Sequence, residues 1–219
     1  MLRLITFLIT IFMCQNLKAD FDSIALHEMI IKSDKIIYGE IADMDSTHFT
    51  LNISGSVTGE IGKAKIRKFR NWTCATRWTK YELGQRLLLF LGENNGELFS
   101  MGAANEGELP LDNNSVFINA LSMMYVNGDQ NDYMNTEFTF DSKEYELYGA
   151  DYFGTKINLN SFLRTVAYVR KCFNFEYGKY YQVSSWSYSC EMNEIKYKAE
   201  SSLLLNSILR EATERKNER

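Results

Sequence analysis

The spacing of apolar positions changes several times along this chain, and each change marks an element. Residues 23–34, SIALHEMIIKSD, place Ile24, Ile30 and Ile31 on one side of a helical turn. They predict a short amphipathic helix with Ser23 as its cap. The period then shortens. KIIYGEIADMD is rich in β-branched and aromatic residues and predicts a strand. Gly39 in its middle predicts a bulge or a sharp bend. In HFTLNISGSVTGEIG, Phe49, Leu51 and Ile53 alternate with Thr50 and Asn52, the period of a half-buried strand, and Gly59 and Gly62 punctuate the turn that follows. KAKIRKFRNW is a third strand candidate. GQRLLLFLGENNGELFSMG reads as two strands about a GENNG turn, because Asn and Gly accept positive φ. Residues 35–103 therefore hold about five strands, in the order of a small Greek-key barrel.

The second half is less regular. Residues 127–146 are acidic and polar and read as a loop with one strand at most. From Leu159 the helical period returns, with Leu159, Phe162, Val166, Val169 and Phe173 on one face. SLLLNSILREATERKNER predicts a last helix, with Leu205, Ile208 and Leu209 on its apolar side and a charged, solvated end. The predicted organisation is mainly β with helices (α+β): a signal peptide at residues 1–19, a barrel at 20–118, and a C-terminal extension at 119–219 with a loop and two helices.

The N-terminus sets the compartment. Arg3 is a short basic region, Leu4 to Met13 are apolar, and Leu17-Lys18-Ala19 places a small residue before a cut. This is the form of a cleaved secretory signal peptide. Ten apolar residues are too few for a bilayer crossing, which takes about 20. A lipidated Cys14 is the alternative, but Met13 is large where such sites want a small residue. LLLFL, residues 87–91, is a buried strand by length and does not span a membrane. The chain carries 24 basic and 28 acidic residues, a net charge of −4, and cleavage takes Arg3 and Lys18 from it. An exported, secreted, periplasmic or surface location follows. Cys74, Cys172 and Cys190 then remain, and an oxidising compartment favours bridges. Cys172 and Cys190, close in sequence, are the preferred pair.

SDKIIYGEI, GSVTGEI, Cys74 and YELGQRLLLFL together resemble the netrin-like domains of the family that includes the tissue inhibitors of metalloproteinases, with bacterial exported relatives. The matching features are a short helix leading into a strand with a central glycine, Gly39, then a turn at Thr58-Gly59. A cysteine follows, ahead of Tyr81, Gly84 and the apolar strand Leu87–Leu91. The resemblance covers roughly residues 24–105 and implies an OB-fold barrel. Inhibitors of that family chelate a protease zinc through an N-terminal Cys-x-Cys. The expected mature start, Asp20-Phe21-Asp22, has no cysteine. The family also bonds the cysteine matching Cys74 to one near the end of the barrel. AANEGELP holds none, so Cys74 is free or paired to Cys172 or Cys190.

Candidate chemistry centres on KAKIRKFRNWTCATRWTK, residues 63–80, with seven cations and no acid in an acidic protein. OB barrels bind oligonucleotides and oligosaccharides on the face of strands 2 and 3, and strand-shaped basic grooves with aromatics hold polyanions. Lys63, Lys65, Arg67, Lys68, Arg70, Trp72, Arg77 and Trp78 are the candidate polyanion or glycan contacts. A solvated, lysine-rich edge strand accounts for the same run. Export points to an acidic glycan or an extracytoplasmic protein as partner, rather than nucleic acid. Metal binding finds no CxxC or HxxxH spacing, and His27 and His48 are the only histidines. The acidic stretch fails the calcium-loop pattern, because Tyr133 stands where an Asp or Asn is required. Asn52, Asn71 and Asn113 begin glycosylation sequons. There is no GxSxG and no glycine-rich phosphate loop, and a Cys74–His48 nucleophile and base has no spacing to commend it. The expectation is a non-catalytic binding module without cofactor or metal, or else a protease inhibitor that works without the cysteine clamp.

Overall fold

The computed structural model describes residues 24–71, 75–103, 106–119, 142–177 and 183–217. The expected signal peptide, the expected cap Ser23, Trp72, Cys74 and most of the acidic stretch lie outside them. Helix α1 (Leu26–Lys32) takes Ala25 as its N-cap and buries Leu26, His27, Met29 and Ile30. Five strands follow: β1 (Lys35–Met44), β2 (His48–Ser56), β3 (Lys63–Arg67), β4 (Arg86–Asn94) and β5 (Glu97–Ser100). β1 pairs antiparallel with both β2 and β4, β2 with β3, and β4 with β5. β3 meets β5 in parallel at Ile66–Leu98 and Arg67–Phe99. The wall closes as β1-β2-β3-β5-β4-β1, the strand order of an OB-fold barrel.

Gly39 is where β1 turns the corner. The register to β2 shifts between Tyr38 and Gly39. A Cβ at this position would overlap the carbonyl oxygen of Asn52. The bulge lets the first half of β1 serve β4 while its second half stays with β2, which is how bulges curve a sheet toward closure. At the other end of the wall, Asn95 and Gly96, at φ of 52° and 79°, make the β4–β5 turn, the paired positive φ of a type I′ hairpin.

The run Leu87–Leu91 is wholly buried because it divides two cores. Leu87, Leu89 and Leu91 join Ile37, Ile41, Phe49, Leu51, Ile66 and Leu98 inside the barrel. Leu88 and Phe90 point the other way, into a second core with Leu26, Met29 and Ile30 of α1. Each such side chain contributes roughly 1.5–3 kcal/mol on full burial. β6 (Glu108–Asp112) pairs with β4 at Leu87–Leu89, on the flank that β5 leaves. The sheet continues through β7 (Ser115–Asn119) to β8 (Lys143–Leu147) and β9 (Ala150–Asn158), in the order β6-β7-β9-β8.

Helix α2 (Leu159–Cys172) closes the second core with Leu159, Phe162, Val166 and Val169, the face its spacing predicts. Asn158 caps it by accepting from Ser161 N–H at 3.1 Å. Phe173, fully buried, already belongs to the next strand. The hairpin of β10 (Phe173–Tyr177) and β11 (Val183–Tyr188) follows, then α3 (Met192–Glu200) and α4 (Leu203–Asn217). Where a loop and two helices are expected, the described residues beyond 119 thus form four strands and three helices. Cys172 and Cys190 are bonded at the base of the β10–β11 hairpin, 18 residues apart. Closing a loop of that length is worth about 3 kcal/mol in the chain-entropy account. The bridge takes both partners offered to Cys74, so the alternative that joined Cys74 to one of them falls.

Two side chains hold α1 in place. The Arg170 guanidinium donates to the carbonyls of Ile30 and Ser33, at 2.9 and 2.8 Å, at the helix C-terminus. The carboxylate of Glu106, 4% exposed, accepts from Ile24 N–H at 3.0 Å and Ala103 N–H at 2.8 Å. Burial pushes Glu106 up to about 7, outweighing the two N–H bonds that favour its ionised form. A pKa raised above the unfolded value of about 4.3 means that the native state holds this proton more tightly. Its stabilising contribution is full below the unfolded value and fades as pH rises through about 7. Urea unfolding of the parent and Glu106→Gln at pH 5 and pH 8 will show the parent's advantage over the variant shrinking at pH 8. An unchanged difference contradicts the assignment.

Candidate functional site

β3 sorts the cationic run by parity. Ala64 and Ile66 turn inward, while Lys63, Lys65 and Arg67 are exposed. Their register partners on β2 are Asn52, Thr50 and His48, so the outer face carries these six side chains in two rows. Lys68 and Arg70 continue the positive charge beyond the strand. The edge-strand reading holds for part of β3 alone: β2 pairs with it throughout, and β5 covers it at Ile66 and Arg67. Arg67 therefore stands in the closed wall, where protection of an open edge does not explain a cation.

Two acids meet this face. Asp45, in the β1–β2 turn, lies 3.4 Å from Lys65 Nζ, and its carbonyl accepts from Lys68 Nζ at 2.6 Å. Glu97, at the start of β5, accepts from Arg67 at 2.9 Å, and the guanidinium rests 5.5 Å from the Phe99 ring centre. These are exposed pairs, screened by solvent and weak. They arrange the cations more than they stabilise the fold. Lys63 and Arg70 are exposed and have no acidic partner within salt-bridge distance among the described residues. Asp45 and Glu97 are thus the acids paired with this row, while Glu40 and Asp43 stand exposed one strand over on β1, beside Asn52 and Thr50.

The remaining candidates go elsewhere. Trp72 lies outside the described residues. Arg77 is no surface cation: its side chain is 2% exposed and its Nε donates to Glu108 Oε2 at 2.7 Å. It also donates to the carbonyls of Thr79 and Lys80 and to Gln85 Oε1. Its guanidinium lies 3.9 Å from the Tyr81 ring centre and 5.0 Å from that of Trp78. Trp78 packs on Tyr148 and Tyr152. Both residues pin the long β3–β4 connection to the barrel, so neither can reach a ligand on the β3 face. Nothing local in the sequence marks this, because the partner acid is 31 positions away.

Glu108, itself 0% exposed, is the hub of that clamp. Tyr81 Oη and Ser100 Oγ donate to its Oε1 at 2.7 and 2.8 Å, while Arg77 takes Oε2. Tyr81 in turn accepts from Phe69 N–H at 2.8 Å. Burial, then the neighbouring Glu108 charge, raises the Tyr81 phenol, so it stays a donor. The clamp joins the loop after β3 to β5 and β6, holding the end of the cationic strand against the barrel.

Among the described residues, no group of three His, Cys, Asp or Glu side chains is arranged to hold a metal ion. No helix there is long and apolar enough to cross a membrane. The sequence reading missed Asp45, Thr47 and Glu97 as members of the face, and weighed His48 only as a metal ligand or as a base for Cys74. Glu97 lies 49 positions from His48, and only barrel closure brings them together.

Removing one partner of a buried pair costs about 3–5 kcal/mol, because the other charge is left uncompensated. Arg77→Met and Glu108→Leu should each lower the urea midpoint strongly. The double variant should cost less than the two losses added; strictly additive losses contradict the clamp. Compared with known proteins, the chain matches no family model, no curated protein and no solved structure.

Proposed function

We propose that this protein is an exported, non-catalytic binding module whose OB barrel presents the outer face of β2, β3 and β5 to an acidic glycan. The observation that carries the reading is the outward alignment of Lys63, Lys65 and Arg67 on β3, continued by Lys68 and Arg70, with Asp45 and Glu97 paired to part of the row. Residues two apart on a strand repeat every 6.6–6.8 Å or so, so the three cations form a line suited to a repeating anionic chain. Barrel closure and the clamp fix the backbone beneath them, which limits the ordering cost of binding to the side chains. The acidic remainder of the molecule supports attraction local to this face. The export leader read from the sequence supports the extracytoplasmic setting, as does the Cys172–Cys190 bridge. The resemblance to netrin-like domains is part of this proposal at the level of the barrel, and the missing cysteine clamp argues for a different mode of binding from the zinc-chelating inhibitors.

The test is retention on a heparin-type resin in rising salt. The parent should be retained and elute as salt screens the contacts. Charge reversal at Lys65, Arg67 and Arg70 together should abolish retention while leaving the unfolding free energy within about 1.5 kcal/mol of the parent. Identical elution of parent and variant removes the reading.

A further inference from the structure

The hydrogen bonds around His48 pose a counting problem. Its Nδ1 lies 2.8 Å from Thr47 Oγ1, and its Nε2 lies 3.1 Å from Glu97 Oε1. Thr47 Oγ1 is also 2.9 Å from Asp45 Oδ1. An ionised carboxylate only accepts, and a threonine hydroxyl has a single hydrogen. With the Thr47 hydrogen on Asp45, as the 2.9 Å contact places it, Thr47 Oγ1 is left to accept from Nδ1–H. Glu97 likewise requires Nε2–H. The three contacts need three hydrogens, and a neutral imidazole with the Thr47 hydroxyl brings two, so one contact goes without. The imidazolium supplies the third.

The surroundings agree. Asp45 is held well below the usual carboxylate range, first by the N–H groups of Thr47 and His48 and then by the Thr47 hydroxyl. It therefore remains an acceptor at any ordinary pH. Asp45 Oδ1 also lies 3.9 Å from Nδ1. Glu97 offers its two oxygens to different donors, Oε1 to His48 and Oε2 to Arg67, so a charged His48 does not displace Arg67. The cations nearest the cluster are Arg67, paired with Glu97, and Lys65 and Lys68, held by Asp45. The imidazole is thus set between two carboxylates on the β2–β3–β5 face, directly across from Arg67.

Resting on the reading of that face as a polyanion site, we propose that His48 is its proton-responsive member. On protonation the ring closes the Asp45–Thr47–His48–Glu97–Arg67 chain and adds one positive charge beside the cationic row. The protonated form therefore holds a polyanion more tightly than the neutral one.

The experiment uses a size-defined heparin oligosaccharide, titrated against the full-length protein at several salt concentrations at pH 5.5 and pH 8.0. The slope of log affinity against log salt counts the charges engaged. The parent's slope should be steeper by about one at pH 5.5, and in His48→Gln the slopes at the two pH values should coincide. Titration of Glu106, away from this face, is common to both proteins and drops out of the comparison. If the parent binds with equal slopes, or if His48→Gln keeps the same difference, the inference is overturned while the binding face stands. If the parent does not bind at either pH, both fall. A second readout is independent of ligand: ring-nitrogen NMR of His48 should show two protonated nitrogens at pH 5.5, and a neutral ring there contradicts the hydrogen-bond count.

Discussion

Everything in this molecule leans on one strand that has no solvent side. β4 pairs with β1 along one flank and with β5 and then β6 along the other, and its two faces are covered by different cores. Leu87, Leu89 and Leu91 fill the barrel, while Leu88 and Phe90 anchor the helices. A strand buried on both faces must be apolar at every position, which is why LLLFL interrupts an otherwise alternating chain. Because the wall is shared, the barrel and the helical layer cannot loosen separately without exposing one row of it.

That internal arrangement determines what the outside can be used for. With Ile66 and Ala64 committed to the barrel, alternation leaves Lys63, Lys65 and Arg67 on the surface. The Arg77–Glu108 clamp then fastens the following loop, so the cations are displayed on a wall fixed at both ends. The two kinds of arginine show how environment divides one residue type. Arg67 lies half-exposed over Phe99 with a surface acid. Arg77 is surrounded by Glu108, two carbonyls, Gln85 and an aromatic face, enough partners to keep a guanidinium inside.

Elements with a strong local signal were legible in the sequence. β2 announces itself by its alternation, β1 by its β-branched and aromatic content, β4 and β5 by an apolar run and the turn between them, the corner by Gly39, the hairpin by Asn95 and Gly96, the α2 face by its spacing, and the bridge by the proximity of Cys172 and Cys190. What could not be read depends on residues far apart in the chain. Arg77 looks like one more surface cation until Glu108 stands against it. β9 reads poorly because its inward row is Tyr152, Gly154 and little else that is apolar. His48 acquires a role only when β5 brings Glu97 beside it. The acids that temper the cationic face, Asp45 and Glu97, belong to a turn and to the first residue of a short strand, positions where charge is ordinary and carries no message by itself.

The shared wall is tested most directly by native-state amide hydrogen exchange across β4 and α2. Amides of Leu87–Leu91 and those of Val166 and Val169 should exchange only through the same global opening, with one common free energy and one common denaturant dependence. Two separate values, with the helix opening while the barrel stays closed or the reverse, would contradict the claim that a single strand holds both cores together.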